Sequence, residues 1–218
     1  MRSEYPILFV EINETNLIFA VTKYDENQNL NIIDKIIVSN KNVEKNNITN
    51  IDELSKQIKH NIEILESNLN YIFKKVTIVL GVFDYLCVNI SGYKKLNGSQ
   101  LLKENISYIL NSIKSSIADS MPKKNIIHIF NSKSILDGNI TDNLPIGLFG
   151  DFYNHELTFF LIEENNFKNI KQVFNKIGLE IDKIILKQFC DGAHLIKEHN
   201  LKSFFNITFN KKTSYINF

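Results

Sequence analysis

The apolar residues of this chain form short runs separated by Asn-rich turns near its start, and helical stripes further on. The runs at 7–10, 17–21 and 30–38 are parted by Asn13-Glu14-Thr15-Asn16 and by Asp25-Glu26-Asn27-Gln28-Asn29. Turn residues so close together between β-branched runs predict three strands in an antiparallel meander. At 51–69 the period changes. Leu54, Ile58, Ile62, Leu65 and Leu69 recur every three or four residues, which predicts a helix with one buried stripe. Asn50 followed by Glu53 has the spacing of a helix cap. The unbroken run at 76–80 predicts a strand covered on both faces.

A second set follows: a strand at 86–90, a helix striped by Leu102, Ile106, Ile109, Ile113 and Ile117, and extended segments at 126–130 and 133–136. Pro122 stands just past that helix, and Asn131-Ser132 predicts a kink between the extended segments. Asp137-Gly138 predicts a turn, Pro145, Gly147 and Gly150 a loop, and 157–162 a strand. Next comes a helix striped by Phe167, Ile170, Phe174 and Ile177, which Gly178 ends. A strand at 181–186, a short helix carrying Phe189, Ala193 and Ile196, and strands at 204–209 and 213–218 complete the series. No internal repeat or low-complexity linker interrupts it.

Composition adds exclusions. With 44% hydrophobic and 22% charged residues, the chain can build an ordinary globular core without metal or disulfide staples. A net charge of +1 gives no global attraction to nucleic acid or to an anionic membrane. The lysine pairs at 74–75, 94–95, 123–124 and 211–212 are scattered instead of forming one stripe, so no nucleic-acid partner is expected. Cys87 and Cys190 are far apart in apolar settings, which predicts buried free thiols in a reducing cytosol. No run approaches the ~20 apolar residues of a membrane span. Glu11 and Asn13 interrupt the first apolar run too early for a signal peptide, so the expectation is a cytoplasmic protein with no direct membrane insertion.

The order of elements is that of an α/β ribonuclease H-like half interrupted once. Within it, Asn143-Leu144-Pro145-Ile146-Gly147-Leu148-Phe149-Gly150 and the strand after it resemble a Pro-Ile-Gly-Met-x-Gly segment of the actin-like cell-division protein FtsA family. The stretch at 177–186 resembles that family's Ala-Gly-Leu-Glu-Val stretch. The strand at 126–130 and Ile135-Leu136-Asp137-Gly138 resemble its Ile-Leu-His strand and Val-Asp-Gly turn. The resemblance implies subdomain 1A at 1–84 and 163–218, with the FtsA-type insert, subdomain 1C, at 85–162. It also implies a role in cell division: ATP binding, filament self-contacts and signalling through 1C, a tether to the tubulin-like FtsZ, and a place at the cytoplasmic face of the inner membrane at the division site.

In such a clamp each half offers a phosphate hairpin, with an acid to orient hydrated magnesium and small residues that let N–H groups approach phosphate. The matching places are Glu11-Ile12-Asn13-Glu14-Thr15-Asn16 and Asn206-Ile207-Thr208-Phe209-Asn210-Lys211-Lys212-Thr213. Glu11 keeps the acid, but Asn13 stands for a glycine and Glu14 adds a like charge near the phosphates. The second hairpin has lost its glycines and acid, and Phe209 is bulky. Lys211 and Lys212 read as hairpin-tip lysines. Glu11, Asn13, Thr15, Asn206 and Asn210 are therefore the candidate nucleotide contacts, and no cofactor is expected; ATP with magnesium enters by resemblance alone. The sequence ends at Phe218, just past this hairpin, so the expectation is that no second half closes over a ligand.

Other chemistry is weak. His60, His128, His155, His194 and His199 lack metal-ligand spacing and read as surface or half-buried. Ser91-Gly92 lacks a nucleophile elbow. Glu163-Glu164 suits a helix start. The aromatics Phe149, Phe152, Tyr153, Phe159 and Phe160 read as core, with a partner-binding face as the alternative. The sequence thus predicts a division scaffold and not an enzyme, working through contacts with FtsZ, late division proteins and further copies of itself. The alternatives are an ATP-binding form whose second half lies outside this chain, and an actin-like scaffold of type IV pilus assembly, against which the 137–150 loop argues.

Overall fold

The computed structural model describes residues 5–81, 83–201, 206–209 and 214–217. In chain order the elements are β1 (Ile7–Ile12), β2 (Asn16–Tyr24), β3 (Leu30–Ser39), β4 (Val43–Glu44), β5 (Asn47–Ile48), α1 (Ile51–Leu69), β6 (Lys75–Leu80) and β7 (Tyr85–Lys95). Then come α2 (Lys103–Ser120), β8 (Lys124–Leu136), β9 (Asn139–Thr141), β10 (Phe152–Glu163), α3 (Glu164–Lys176), β11 (Glu180–Leu186), α4 (Lys187–His199), β12 (Asn206–Phe209) and β13 (Ser214–Asn217). The chain divides into two compact units, 1–83 with 169–218, and 84–168. The second boundary falls inside α3, between Lys168 and Asn169.

The first unit is built on a five-stranded sheet in the order β11-β6-β1-β2-β3. The pairs β1–β2 and β2–β3 are antiparallel, whereas β6 runs parallel to both β1 and β11. A meander continued by parallel strands on the far side of β1 is the ribonuclease H-like arrangement that the order of elements predicts. Alternation puts Leu8, Val10 and Ile12 of β1 in the core, while β6 is buried from Val76 to Leu80 and so is covered on both faces. Helix α1 buries Leu54, Ile58, Ile62 and Leu65 along one stripe. Its Asn50 cap accepts from the Glu53 N–H at 3.0 Å, as the spacing predicts. Ser55 Oγ of α1 reaches the Val173 carbonyl of α3 at 3.2 Å, tying the two helices together. Strands β12 and β13 form a separate antiparallel hairpin.

The second unit is a four-stranded antiparallel sheet, β7-β10-β8-β9, with α2 on one face. Ile109, Ile113 and Ile117 of α2 pack on Tyr153, Leu157, Phe159 and Leu161 of β10. Gly92 of β7 makes that approach feasible: a Cβ there would lie 2.4 Å from Ile109 Cγ2 and 3.0 Å from Ile113 Cδ1. The predicted kink at 131–132 is a β-bulge, since Asn131 and Lys133 pair with the adjacent Leu157 and Glu156. Asp137 and Gly138 both have positive φ, 49° and 81°, and close a two-residue hairpin between Leu136 and Asn139.

Several expectations need correction. The strand predicted at 86–90 extends over Tyr85–Lys95, and that at 157–162 over Phe152–Glu163. Polar residues on their open faces look like strand ends in sequence. Cys87 and Cys190 are free but exposed, not buried, because strand alternation turns Cys87 away from its apolar neighbours. His155 is buried, not surface, since it shares the core face of β10 with Tyr153 and Leu157. The aromatic group divides too: alternation along β10 puts Tyr153 and Phe159 in the core, leaves Phe160 half-buried and Phe152 exposed, and Phe149, in the loop before β10, is exposed.

Candidate functional site

Parallel strands bring their carboxyl ends to one rim of the first sheet, where ligands of open α/β folds sit. There Glu11 of β1 is level with Val79 of β6 and Ile185 of β11. Lys187, two residues past that row, opens α4, and its Nζ donates to Glu11 Oε1 at 2.5 Å. Two long side chains thus meet across the end of β6. Asn13 Nδ2 donates to the same carboxylate oxygen at 2.8 Å and to Asn16 Oδ1 at 2.8 Å. The backbone N–H of Asn13 donates to the Asn16 carbonyl, and the Asn13 carbonyl accepts from Asn40 Nδ2 at 2.6 Å. Gly81 follows β6 and bonds the Ile12 carbonyl; a Cβ there would fall 1.9 Å from Asn13 Oδ1. The Asn13 side chain therefore depends on that glycine for its place.

The other candidates fare differently. Thr15 is exposed at the loop tip and its carbonyl accepts from the Asn40 N–H at 2.9 Å. The Glu14 carboxylate accepts instead from the Lys45 N–H at 3.0 Å. Asn206 lies at the start of β12, level with Asn217. Asn210, Lys211 and Lys212 lie outside the described residues. Glu11, Asn13 and Lys187 are brought together; Thr15 is linked to them through its carbonyl, by way of Asn40.

Lys187 escapes sequence reasoning because 176 positions separate it from Glu11. One signal was there: a lysine in the first turn of a helix faces the positive end of the helix dipole and needs a compensating anion. Around this pair the charge is negative. Although Cys190 is exposed as a residue, desolvation by the protein around its sulfur, then the carboxylates of Asp191 and Glu11, push the thiol pKa up, so it is a poor source of thiolate. Burial raises the Asp191 pKa against the opposing pull of Lys187. Among the described residues no group of three His, Cys, Asp or Glu side chains could hold a metal ion.

The second unit offers an apolar surface. The loop at 147–151 is bonded to residues 96–101 by backbone pairs, among them Leu101 N to the Leu148 carbonyl at 2.9 Å and Gly98 N to the Gly150 carbonyl at 3.0 Å. Asp137 clamps the other end: its carboxylate accepts from the N–H groups of Asp151 and Phe152 at 2.9 and 2.7 Å. Leu144, Ile146, Leu148 and Phe149 are consequently presented to solvent on a fixed frame, and Phe152 stacks on Tyr93.

This fold defines an actin-like α/β protein, one partial half of that architecture. Among solved structures it is similar in fold to the PilM-PilN type IV pilus biogenesis complex, at a TM-score of 0.59 and 10% identity, covering 90% of this chain and 52% of the other. The ethanolamine utilization protein EutJ from Carboxydothermus hydrogenoformans, at 7% identity over 98% of this chain and 47% of the other, has a TM-score of 0.47 and adds nothing to that argument. In sequence, the chain is FtsA-like. It is 20% identical over 192 residues to the cell division protein FtsA of Buchnera aphidicola subsp. Acyrthosiphon pisum (strain APS), covering 88% of this chain and 46% of that protein. The chain therefore spans about half the length of the curated relative it matches. No family model matches it. Among the described residues no helix is long and apolar enough to cross a membrane.

Proposed function

We propose that this chain is a cell-division scaffold of the FtsA type, acting through protein contacts and not through catalysis. The single observation that carries this reading is the Lys187–Glu11 pair. Glu11 is the acid that the family resemblance would assign to a hydrated magnesium. Here it already has a covalently tethered cation and a second donor in Asn13. Hydrated magnesium beside this carboxylate would have to compete with an ammonium already at hydrogen-bond distance. The first hairpin also lacks glycine, so close approach of its backbone to a phosphate is hindered by the Asn13 side chain.

On this reading the working surface is the 1C insert, with the apolar frame at 144–152 as its contact face. The partners are FtsZ, the late division proteins and further copies of the chain, at the cytoplasmic face of the inner membrane at the division site. Sequence likeness to FtsA along most of the chain supports the division assignment. Pull-down and cross-linking against FtsZ and the late division proteins test it: capture that is lost in a Leu148→Asp/Phe149→Asp variant is expected, and capture of none of them refutes it. A second reading, a scaffold for type IV pilus assembly, draws on the fold likeness to the PilM-PilN complex. Capture of pilus-assembly proteins in place of division proteins would select it.

A further inference from the structure

Strand β7 is an edge of the second sheet. It pairs with β10 on one side, and among the described residues no strand lies on the other. Natural edges are protected by charges, prolines, bulges or brevity. The opposite edge, β9, has three residues, and on the outer strand of the first sheet, β3, Asp34 Oδ1 takes the N–H of Lys35 at 2.7 Å. β7 confines its charges, Lys94 and Lys95, to its last two residues. It runs for eleven residues with no break in register, and from Tyr85 to Tyr93 it carries no charge and no proline.

We infer that β7 pairs antiparallel with β7 of a second copy of this chain, around a two-fold axis through Asn89. The register follows from the residues. A two-fold axis normal to a sheet must pass through a residue paired with itself. With Asn89 opposite Asn89 of the other copy, Val88 faces Ile90, Cys87 faces Ser91 and Tyr85 faces Tyr93. Beyond them, each Lys94 comes opposite the Asp84 that precedes β7 in the other copy. Two opposite-charge pairs therefore bracket an uncharged centre, and no like charges meet. An axis one residue further along, through Ile90, would bring Lys94 opposite Leu86 and lose both pairs. Lys94 Nζ is already held 4.7 Å from the centre of the Tyr108 ring, which fixes it against the sheet. Gly92 turns toward α2, so the odd-numbered residues Cys87, Asn89, Ser91 and Tyr93 lie on the open face and all are exposed. The result is a continuous eight-stranded sheet across two copies. It stands whether or not a division partner binds.

Light scattering on the full chain, followed by oxidative cross-linking, tests this. The expected mass is twice 25.3 kDa, falling to 25.3 kDa in Asn89→Lys, which sets two ammonium groups face to face at the axis. Circular dichroism of that variant should be unchanged, since Asn89 is exposed and the variant removes from the fold only the exposed contact in which its Oδ1 accepts from Thr158 Oγ1 at 2.6 Å. Opposed residues place their Cα atoms about 4.5–5.5 Å apart, within disulfide range. In a Cys87→Ser/Cys190→Ser background, Asn89→Cys should therefore give a covalent dimer on mild oxidation, and Ser115→Cys on exposed α2 should not. A wild type that stays monomeric at tens of micromolar overturns the inference. So does a dimer that persists in Asn89→Lys and leaves Asn89→Cys unlinked. A dimer that behaves as expected but captures no division protein keeps this pairing and refutes the function proposed above.

Discussion

Replacing Lys187 with methionine keeps most of the side-chain stem and removes the ammonium that Glu11 faces. The size of the effect follows from exposure. The Glu11 side chain is 20% exposed and that of Lys187 37%, which places the pair between the surface case and the buried one. Surface pairs contribute about 0–1 kcal/mol, and breaking a buried pair from one side costs about 3–5 kcal/mol. Asn13 Nδ2 remains as a donor to the carboxylate, so the charge is not stripped bare. Lys187→Met should thus destabilise the first unit by about 1–2 kcal/mol. Glu11→Gln should cost less, because it leaves the more exposed partner, which can turn to water. The double variant should be more stable than the sum of the singles implies, with a coupling of about 1 kcal/mol. Urea unfolding followed by circular dichroism, comparing midpoints at constant slope, measures all three. Singles that add to within ~0.5 kcal/mol would show that the pair does not couple and would remove its part in the account. A second arm adds Mg-ATP. A ligand at a hundredfold excess over its dissociation constant raises stability by about 2.7 kcal/mol. A shift of that order in the wild type would refute the assignment of Lys187 to the cation's place.

Three further outcomes are expected. Gly92→Ala forces a Cβ into Ile109 and Ile113 and should cost about 1–3 kcal/mol in the second unit, read as a lowered melting temperature; no change would mean α2 does not pack on β7 as described. Asp137→Ala removes two charge-assisted acceptor contacts and places alanine at a φ of 49°, at a cost of about 2–3 kcal/mol, whereas Asp137→Asn should retain more than half of that stability in the same melt. Burial lowers the pKa of His155, so the unfolded chain takes up its proton first: this contribution is intact above the unfolded pKa of about 6.5 and is lost as pH falls from there through the folded pKa. His155→Gln should flatten that acid limb of the stability curve, and an unchanged limb would refute it.

Much of the fold is legible in the sequence because local periodicity and tertiary burial agree. The helix at 51–69 appears with its Asn50 cap, and the 131–132 kink appears as a bulge. What is less legible follows from alternation. On β10, Asn154 and Glu156 face away from the core, so only its apolar second half is visible. His155 and Cys87 look interchangeable with their neighbours until the parity of each strand is known, and parity then buries one and exposes the other. At the rim, Glu11 and Asn13 are legible through the turn they occupy. Lys187 is not, because no local pattern links a residue of β1 to the first residue of a helix 176 positions away.

The split construction of the first unit has a kinetic consequence. Strand β6 is complete by Leu80, yet its partner β11 begins only at Glu180. During synthesis the apolar flank of β6 waits while the intervening residues emerge, and it is open to wrong pairing for that time. The contiguous 84–168 segment can close its own sheet in the interval, shortening the floppy loop between β6 and β11 and easing the entropy of their meeting. Slowing the collapse of that segment, as Gly92→Ala would, should therefore delay maturation of a sheet in which Gly92 has no strand.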